Sequence, residues 1–216
     1  MGTITRSFVN GLTTNGVLGT SNINNASLNN ITSIAGPEMT LISSATASSS
    51  ASIEFSLGDY KEYQFYFVNM HPQNSNIQFQ VNYSTDNGSN YNVTKTSTFF
   101  RAIHAENDSL STLGYRTGED LAQSTNFQPI MYALDIDNDS NGNGFLKLFN
   151  PSSTTYVKHW ISDCSGTSND GGSNRYDIRY FGAGYANTTS PLTNIKFQMS
   201  SGNIDAGSIY MYGIGA

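Results

Sequence analysis

The sequence is poor in three features that mark many classes of protein: cysteine, charge and long apolar runs. Cys164 is the one cysteine among 216 residues, so no disulfide can form within the chain. We therefore expect the chain to fold in a cytoplasm rather than along a secretory route. No stretch approaches the ~18 apolar residues of a membrane-spanning helix, and the first residues lack the apolar core of a signal peptide. The sequence predicts no interaction with a membrane.

Charge is scarce as well, and what there is does not favour nucleic acid. Charged residues make up 12% of the chain, about half the usual quarter, and the net charge is −6. The ten lysines and arginines are scattered, whereas phosphate backbones are bound by clustered ones. Asn, Ser, Thr and Gly fill the deficit, together with 13 Tyr and 12 Phe. Because disordered chains contain few aromatics, this composition predicts a folded β protein whose uncharged surface meets proteins or glycans.

Alternating apolar and polar residues predict a β domain that runs from residue 37 to residue 216. The strongest strand is 62–71, where Tyr63, Phe65 and Phe67 share one face; aromatics on both faces favour a central position. Further strands are predicted at 40–44, 51–57, 77–83, 92–104, 129–136, 144–150, 154–163 and 175–185, and in the last segment, 193–214. Strands at this spacing predict an all-β fold: an antiparallel, jelly-roll-like β-sandwich of about ten strands.

Three local patterns predict how neighbouring strands connect. Asn87-Gly88 predicts a tight turn between strand 77–83 and a returning strand at 92–104. The segment 193–214 predicts a C-terminal hairpin with a polar connection at 200–207. Residues 105–126 break the strand pattern; the capping-box-like stretch 117–120 favours a short helix at 119–124, and otherwise this is a long surface loop.

Residues 1–36 differ from the rest of the chain. Their apolar residues keep neither the helical period nor the strand period, which predicts an extended N-terminal arm that Gly36-Pro37 ends. Such an arm cannot bury its own side chains, so we expect it to bind a partner surface. The candidate anchors are Phe8, Val9, Leu12, Val17 and Leu18. The alternative is a disordered N-terminal tail.

Motifs that would carry chemistry are incomplete. Asp137, Asp139 and Asn141 with Gly142 match the opening of a calcium loop, but the twelfth position holds Leu148 instead of Glu; a polar turn is the alternative. The three histidines lack metal-ligand spacing, and Asp163 beside Cys164 disfavours a reactive thiolate. No hydrolase, metalloprotease, phosphate-loop or dinucleotide signature is present. We expect no catalytic residues, no cofactor and no enzymatic activity, with a carbohydrate-active enzyme as a remote alternative.

Tyrosines are the other candidates for recognition, because a tyrosine ring offers a large, stiff, amphipathic contact surface for sugars or proteins. Five are predicted in or near loops: Tyr91, Tyr115, Tyr176, Tyr180 and Tyr185. The alternative is that they pack at the rim of a sheet.

The chain resembles virion structural proteins of tailed bacteriophages, especially those of marine cyanobacteria and other marine bacteria. The resemblance spans nearly the whole chain and is carried by the stretches TITRSFVNGLTTNGVLG (3–19), YQFYFVNMHP (63–72), VNYSTDNGSNYN (81–92), LFNPSSTTYVKHW (148–160) and IKFQMSSGNIDAGSIYMYGI (195–214). It implies a non-enzymatic component of the phage particle, located in the virion after assembly in the host cytoplasm.

Two roles follow from this resemblance. In the first, the protein is a capsid decoration or cement protein, a homo-trimer whose arm binds the major capsid protein. In the second, it is a tail-fibre or receptor-binding component that attaches to other tail proteins and touches a host-surface glycan through the loops 105–126 and 164–175. Because fibres usually need a long shaft or repeats and none is visible here, decoration is favoured.

Overall fold

The computed structural model describes residues 39–169 and 174–215, and within these ranges the chain is all β. The predicted arm, with Phe8, Val9, Leu12, Val17 and Leu18, lies outside the described residues. The described strands are β1 (Thr40–Ser50), β2 (Ile53–Ser56), β3 (Glu62–Pro72), β4 (Ile77–Ser84), β5 (Lys95–Ala105), β6 (Ser111–Tyr115), β7 (Gln128–Leu134), β8 (Gly142–Phe149), β9 (Lys158–Asn169), β10 (Arg175–Ala186), β11 (Asn194–Met199) and β12 (Ile204–Ile214).

The strands form two antiparallel sheets that face each other as a sandwich. The large sheet has eight strands in the order β1-β12-β3-β8-β9-β10-β5-β6, and the small sheet has four in the order β2-β11-β4-β7. The pairs β1–β12 and β3–β8 in one sheet, with β2–β11 and β4–β7 in the other, give the nested wrapping of a jelly roll. Two insertions, β5–β6 and β9–β10, widen the large sheet. The predicted antiparallel, jelly-roll-like sandwich is confirmed, with two more strands than predicted.

The core lies between the sheets and is built from the predicted alternation. Phe65 and Phe67 of β3 point inward from the large sheet and meet Phe79 of β4 and Phe197 of β11 from the small sheet, with ring centroids 5.2 to 5.9 Å apart. All four rings are essentially buried, and each such burial contributes roughly 1.5–3 kcal/mol. Since β3 lies between β12 and β8, its predicted central position is confirmed.

The two predicted hairpins, 77–83 with 92–104 and the C-terminal segment 193–214, are wrong, because the strands in each do not pair with one another. β11 and β12 are consecutive in the chain, yet β11 pairs with β2 and β4 in the small sheet and β12 pairs with β1 and β3 in the large sheet. Likewise β4 belongs to the small sheet and β5 to the large one. Each connection therefore crosses the sandwich, because a jelly roll pairs strands that are distant in sequence. The Asn87-Gly88 turn does exist, and both residues have positive φ.

The predicted helix at 119–124 is also wrong. Residues 117–119 form turns, and Ser124 forms an isolated bridge with Lys95. Leu121 and Ser97 bond through their backbones, and the Leu121 amide also donates to the Ser97 hydroxyl at 2.9 Å. These bonds to β5 replace the helical ones. The long-loop alternative missed β6, which forms one edge of the large sheet.

Candidate interaction surface

The outer face of the large sheet carries a row of aromatic side chains that runs across the strands. Alternation along β3, β8, β10 and β5 buries one set of residues in the core and turns the intervening set outward. The strand registers align the outward residues as one continuous row, which is Ser44, Tyr210, Tyr66, Phe145, Asp163, Phe181, Phe100 and Tyr115. Six of these eight positions are aromatic. We call these eight residues the aromatic row.

Ring contacts organise the row. Phe100 and Phe181 stack with centroids 4.8 Å apart, and Tyr66 lies 6.3 Å from Phe145. Tyr66 also meets Tyr212 of the neighbouring row edge to face at 5.7 Å. Because the rings in these contacts support one another, their side chains are held in place before any partner arrives, which lowers the entropy cost of binding.

Two cations on this face are each paired with a carboxylate. Arg179 donates to both carboxylate oxygens of Asp163, at 3.0 and 2.7 Å, and its guanidinium lies 4.8 Å from the centroid of the Phe181 ring. Lys147 lies 5.8 Å from the Phe145 centroid and 3.7 Å from the Glu62 carboxylate. This pairing leaves the face with aromatic planes and little unbalanced charge.

The row is open to solvent at one end in particular. Phe100 is 39% exposed and Tyr115 is 52% exposed, and Leu113 beside them is 71% exposed. At the usual strand spacing the eight strands make a face about 34 Å wide. A broad face with aromatic planes and tyrosine hydroxyls resembles the core of a protein–protein interface more than it resembles a small-molecule cleft.

The segment that matches the opening of a calcium loop forms a polar turn at 137–139 and takes part in an ion-pair network. Asp137 contacts the Arg175 guanidinium, which also donates to Asp135 at 3.0 Å. Asp135 is buried and accepts a further bond from the Asn169 amide at 2.6 Å. The connection between β7 and β8 is thus tied to the end of β9 and the start of β10. Among the described residues there is no group of three acidic, histidine or cysteine side chains that could hold a metal ion.

The histidines and the cysteine are placed apart. His71 lies 3.7 Å from the Asp205 carboxylate, His104 bonds Asp108 at 3.1 Å, and His159 packs against Tyr185. Cys164 is buried in the core, and this burial raises the pKa of its thiol. A thiol that stays protonated is a weak nucleophile.

The five tyrosines predicted in or near loops differ in how far they are exposed. Tyr115 is exposed and belongs to the aromatic row, but it lies in β6 rather than in a loop. Tyr176, Tyr180 and Tyr185 all lie in β10, and Tyr180 is fully buried, so its predicted exposure is wrong. Tyr91 is half-buried in the connection between β4 and β5.

Lys95 is a buried cation that the composition did not reveal. Its ammonium donates to the Asn82 side-chain oxygen at 2.6 Å and to the Val93 carbonyl at 2.8 Å. Burial lowers the pKa of Lys95 to about 7. The signal was present in the sequence, because Lys95, Ser97 and Phe99 share one face of β5 by alternation and Phe99 lies in the core.

Comparison of the chain with protein-family models, with curated proteins and with solved structures finds no match in any of the three. Within the described residues, no helix is long and apolar enough to cross a membrane.

Proposed function

We propose that this protein is a non-enzymatic structural component of a tailed-phage virion and acts as a capsid decoration protein. The resemblance described above supports the virion assignment. The aromatic row supports the role, because a decoration protein must present a broad surface to its neighbours in the particle.

The aromatic row is the observation on which the proposal rests. Phe100 is 39% exposed, and covering its ring with a partner surface would make binding more favourable by removing apolar area from water. Ion pairs such as Arg179 with Asp163 can favour one orientation of the partner, and their opposite charges cancel so that the face carries little net charge. The row would contact the major capsid protein or a second copy of the chain in a trimer, and the arm at residues 1–36 would add apolar anchors.

The second candidate is a tail-fibre or receptor-binding component that attaches the virion to the host surface. A specific observation favours it: the small sheet carries an open groove lined by two aromatic rings and several amide side chains, on the side opposite to the aromatic row. Such a groove suits a soluble or surface-bound ligand.

The experiment that tests the proposal compares binding of the purified protein to empty phage capsids and to host cells. Three variants are measured beside the wild type: deletion of residues 1–36, the double variant Phe100→Ser with Phe181→Ser, and Tyr156→Ser as the control. Tyr156 is 70% exposed and lies outside the large sheet, so its variant removes a comparable ring elsewhere.

We expect capsid binding that weakens in the deletion and in the double variant but not in the control. Sedimentation analysis of the same samples tests the trimer. Host-cell binding that survives both changes, together with no capsid binding, would overturn decoration and favour the second candidate.

A further inference from the structure

A groove on the outer face of the small sheet has the construction of a ligand site. Its floor is formed by Gln78 and Gln80, which alternate along β4 with the buried Phe79 and Val81 and therefore point outward. Its volume is about 440 Å³, within the range of small-ligand sites. The walls are contributed by the connections around the sheet, and the full lining is Gln78, Gln80, Tyr91, Gly118, Leu121, Thr125, Asn126, Phe127 and Pro129.

The chemistry of the lining points to a neutral, hydroxyl-rich ligand. None of the nine lining residues carries a charge. Gln78, Gln80 and Asn126 offer amide groups that both donate and accept hydrogen bonds, which is what sugar hydroxyls require. Tyr91 and Phe127 add ring faces that can pack against the C–H face of a sugar ring. A charged ligand would find no counter-ion in this lining.

The charges next to the groove neutralise each other and hold Tyr91. The Tyr91 hydroxyl donates to the Glu54 carboxylate at 2.8 Å, and the Lys196 ammonium lies 4.3 Å from the Tyr91 ring centroid. Lys196 in turn pairs with Glu54 at 2.7 Å. The bond to Glu54 therefore fixes the Tyr91 hydroxyl, and the Lys196 ammonium covers one face of the Tyr91 ring.

The two walls are joined beneath the groove by a buried polar cluster. The Asn82 amide donates to the Tyr91 carbonyl at 2.7 Å and to the Thr125 carbonyl at 3.0 Å, so one side chain holds both connections. Lys95 donates to the Asn82 oxygen and fixes the direction of that amide. A groove whose walls are tied in this way is formed before the ligand binds, which favours affinity.

We propose that this groove binds a neutral oligosaccharide through Gln78, Gln80 and the rings of Tyr91 and Phe127. The inference does not depend on the decoration role, because the aromatic row lies on the other sheet. It deepens the second candidate function, which rests on the same groove.

The test uses an array of immobilised neutral and acidic oligosaccharides, followed by calorimetric titration of the best binder into the full-length protein. The variants are Tyr91→Ala and Gln80→Ala, which remove one ring and one amide. Tyr156→Ser is the matched control, since it removes an exposed ring from the connection between β8 and β9, outside the lining of the groove. Thermal melting of each variant checks that the fold is retained.

We expect one or more neutral oligosaccharides to bind, with affinity lowered about tenfold by each groove variant and unchanged in the control. Gln80→Ala keeps the test informative if Tyr91→Ala destabilises the fold. The inference is overturned if no oligosaccharide binds, if only acidic ones bind, or if a short uncharged peptide displaces the sugar at lower concentration. Sugar binding that both groove variants leave intact would also overturn it. Capsid binding is measured separately, so failure here and failure of the decoration proposal are distinguishable.

Discussion

Replacing Lys95 by Met should change how stability depends on pH, and the structure sets the sign. Lys95 is fully buried, and its ammonium bonds the uncharged Asn82 oxygen and Val93 carbonyl rather than a carboxylate. Desolvation without a counter-ion disfavours the charged form and lowers the pKa of Lys95 from 10.5 to about 7. Between these two values the unfolded chain binds more protons than the folded chain, so stability rises with pH.

The magnitude follows from the same two values. A group that is protonated only in the unfolded chain changes the free energy of unfolding by roughly 1.4 kcal/mol per pH unit. From pH 7 to pH 9 the wild type should therefore gain about 2 kcal/mol from Lys95, a little less than the full slope because the folded amine is still half protonated at pH 7. Lys95→Met has no group to titrate and should lack this gain.

Urea denaturation of both proteins at pH 6, 7, 8 and 9 measures the effect. Subtracting the free energy of unfolding of Lys95→Met from that of the wild type cancels the contributions of histidines and other groups that both proteins share. We expect this difference to grow by about 2 kcal/mol in favour of the wild type between pH 7 and pH 9. Parallel curves would refute the reasoning, because they would show that Lys95 keeps an ordinary pKa in the folded protein.

Two further predictions concern groups buried elsewhere. The Cys164 thiol should react with an aromatic disulfide reagent at pH 8 only after denaturation, because it is buried and its pKa is raised; rapid reaction of the folded protein would contradict this. Asp135→Ala should lower the free energy of unfolding by about 3 kcal/mol, because it leaves Arg175, Asn169 and Ser75 without their shared acceptor. Chemical denaturation measures that loss, with the exposed Asp205→Ala as control, and equal effects of the two changes would contradict it.

Alternation in the sequence predicted which side chains are buried but not which sheet each strand joins. Ile195, Phe197 and Met199 of β11 and Ile209 and Met211 of β12 face the core and alternate with residues that point outward. The apolar faces of the two strands point into the core from opposite sheets, however. The alternation of apolar and polar residues is the same whichever sheet a strand joins. A polar connection suits a crossing as well as a hairpin, so the local pattern could not decide between them.

Local signals also failed where long-range contacts compete with them. The stretch at 117–120 has helix-start chemistry, but the Ser97 hydroxyl and the backbone of Lys95 offer partners to Leu121 and Ser124 that only the folded sheet brings close. Tyr180 was assigned to the surface, yet it lies in the core, where its hydroxyl donates to the Tyr132 carbonyl. The alignment of the aromatic row depends on the register of strands far apart in sequence, and no local pattern contains that register.

The insertions in the jelly roll enlarge both candidate surfaces. The eight nested strands alone would contribute only Ser44, Tyr210, Tyr66 and Phe145 to the aromatic row. β9, β10, β5 and β6 extend it to Tyr115, and the connection from β6 to β7 supplies the wall of the groove that contains Phe127. The jelly roll itself is a scaffold that many functions share. Changes at outward-facing positions of the insertions should therefore alter binding, while changes at inward-facing positions of the nested strands should mainly alter stability.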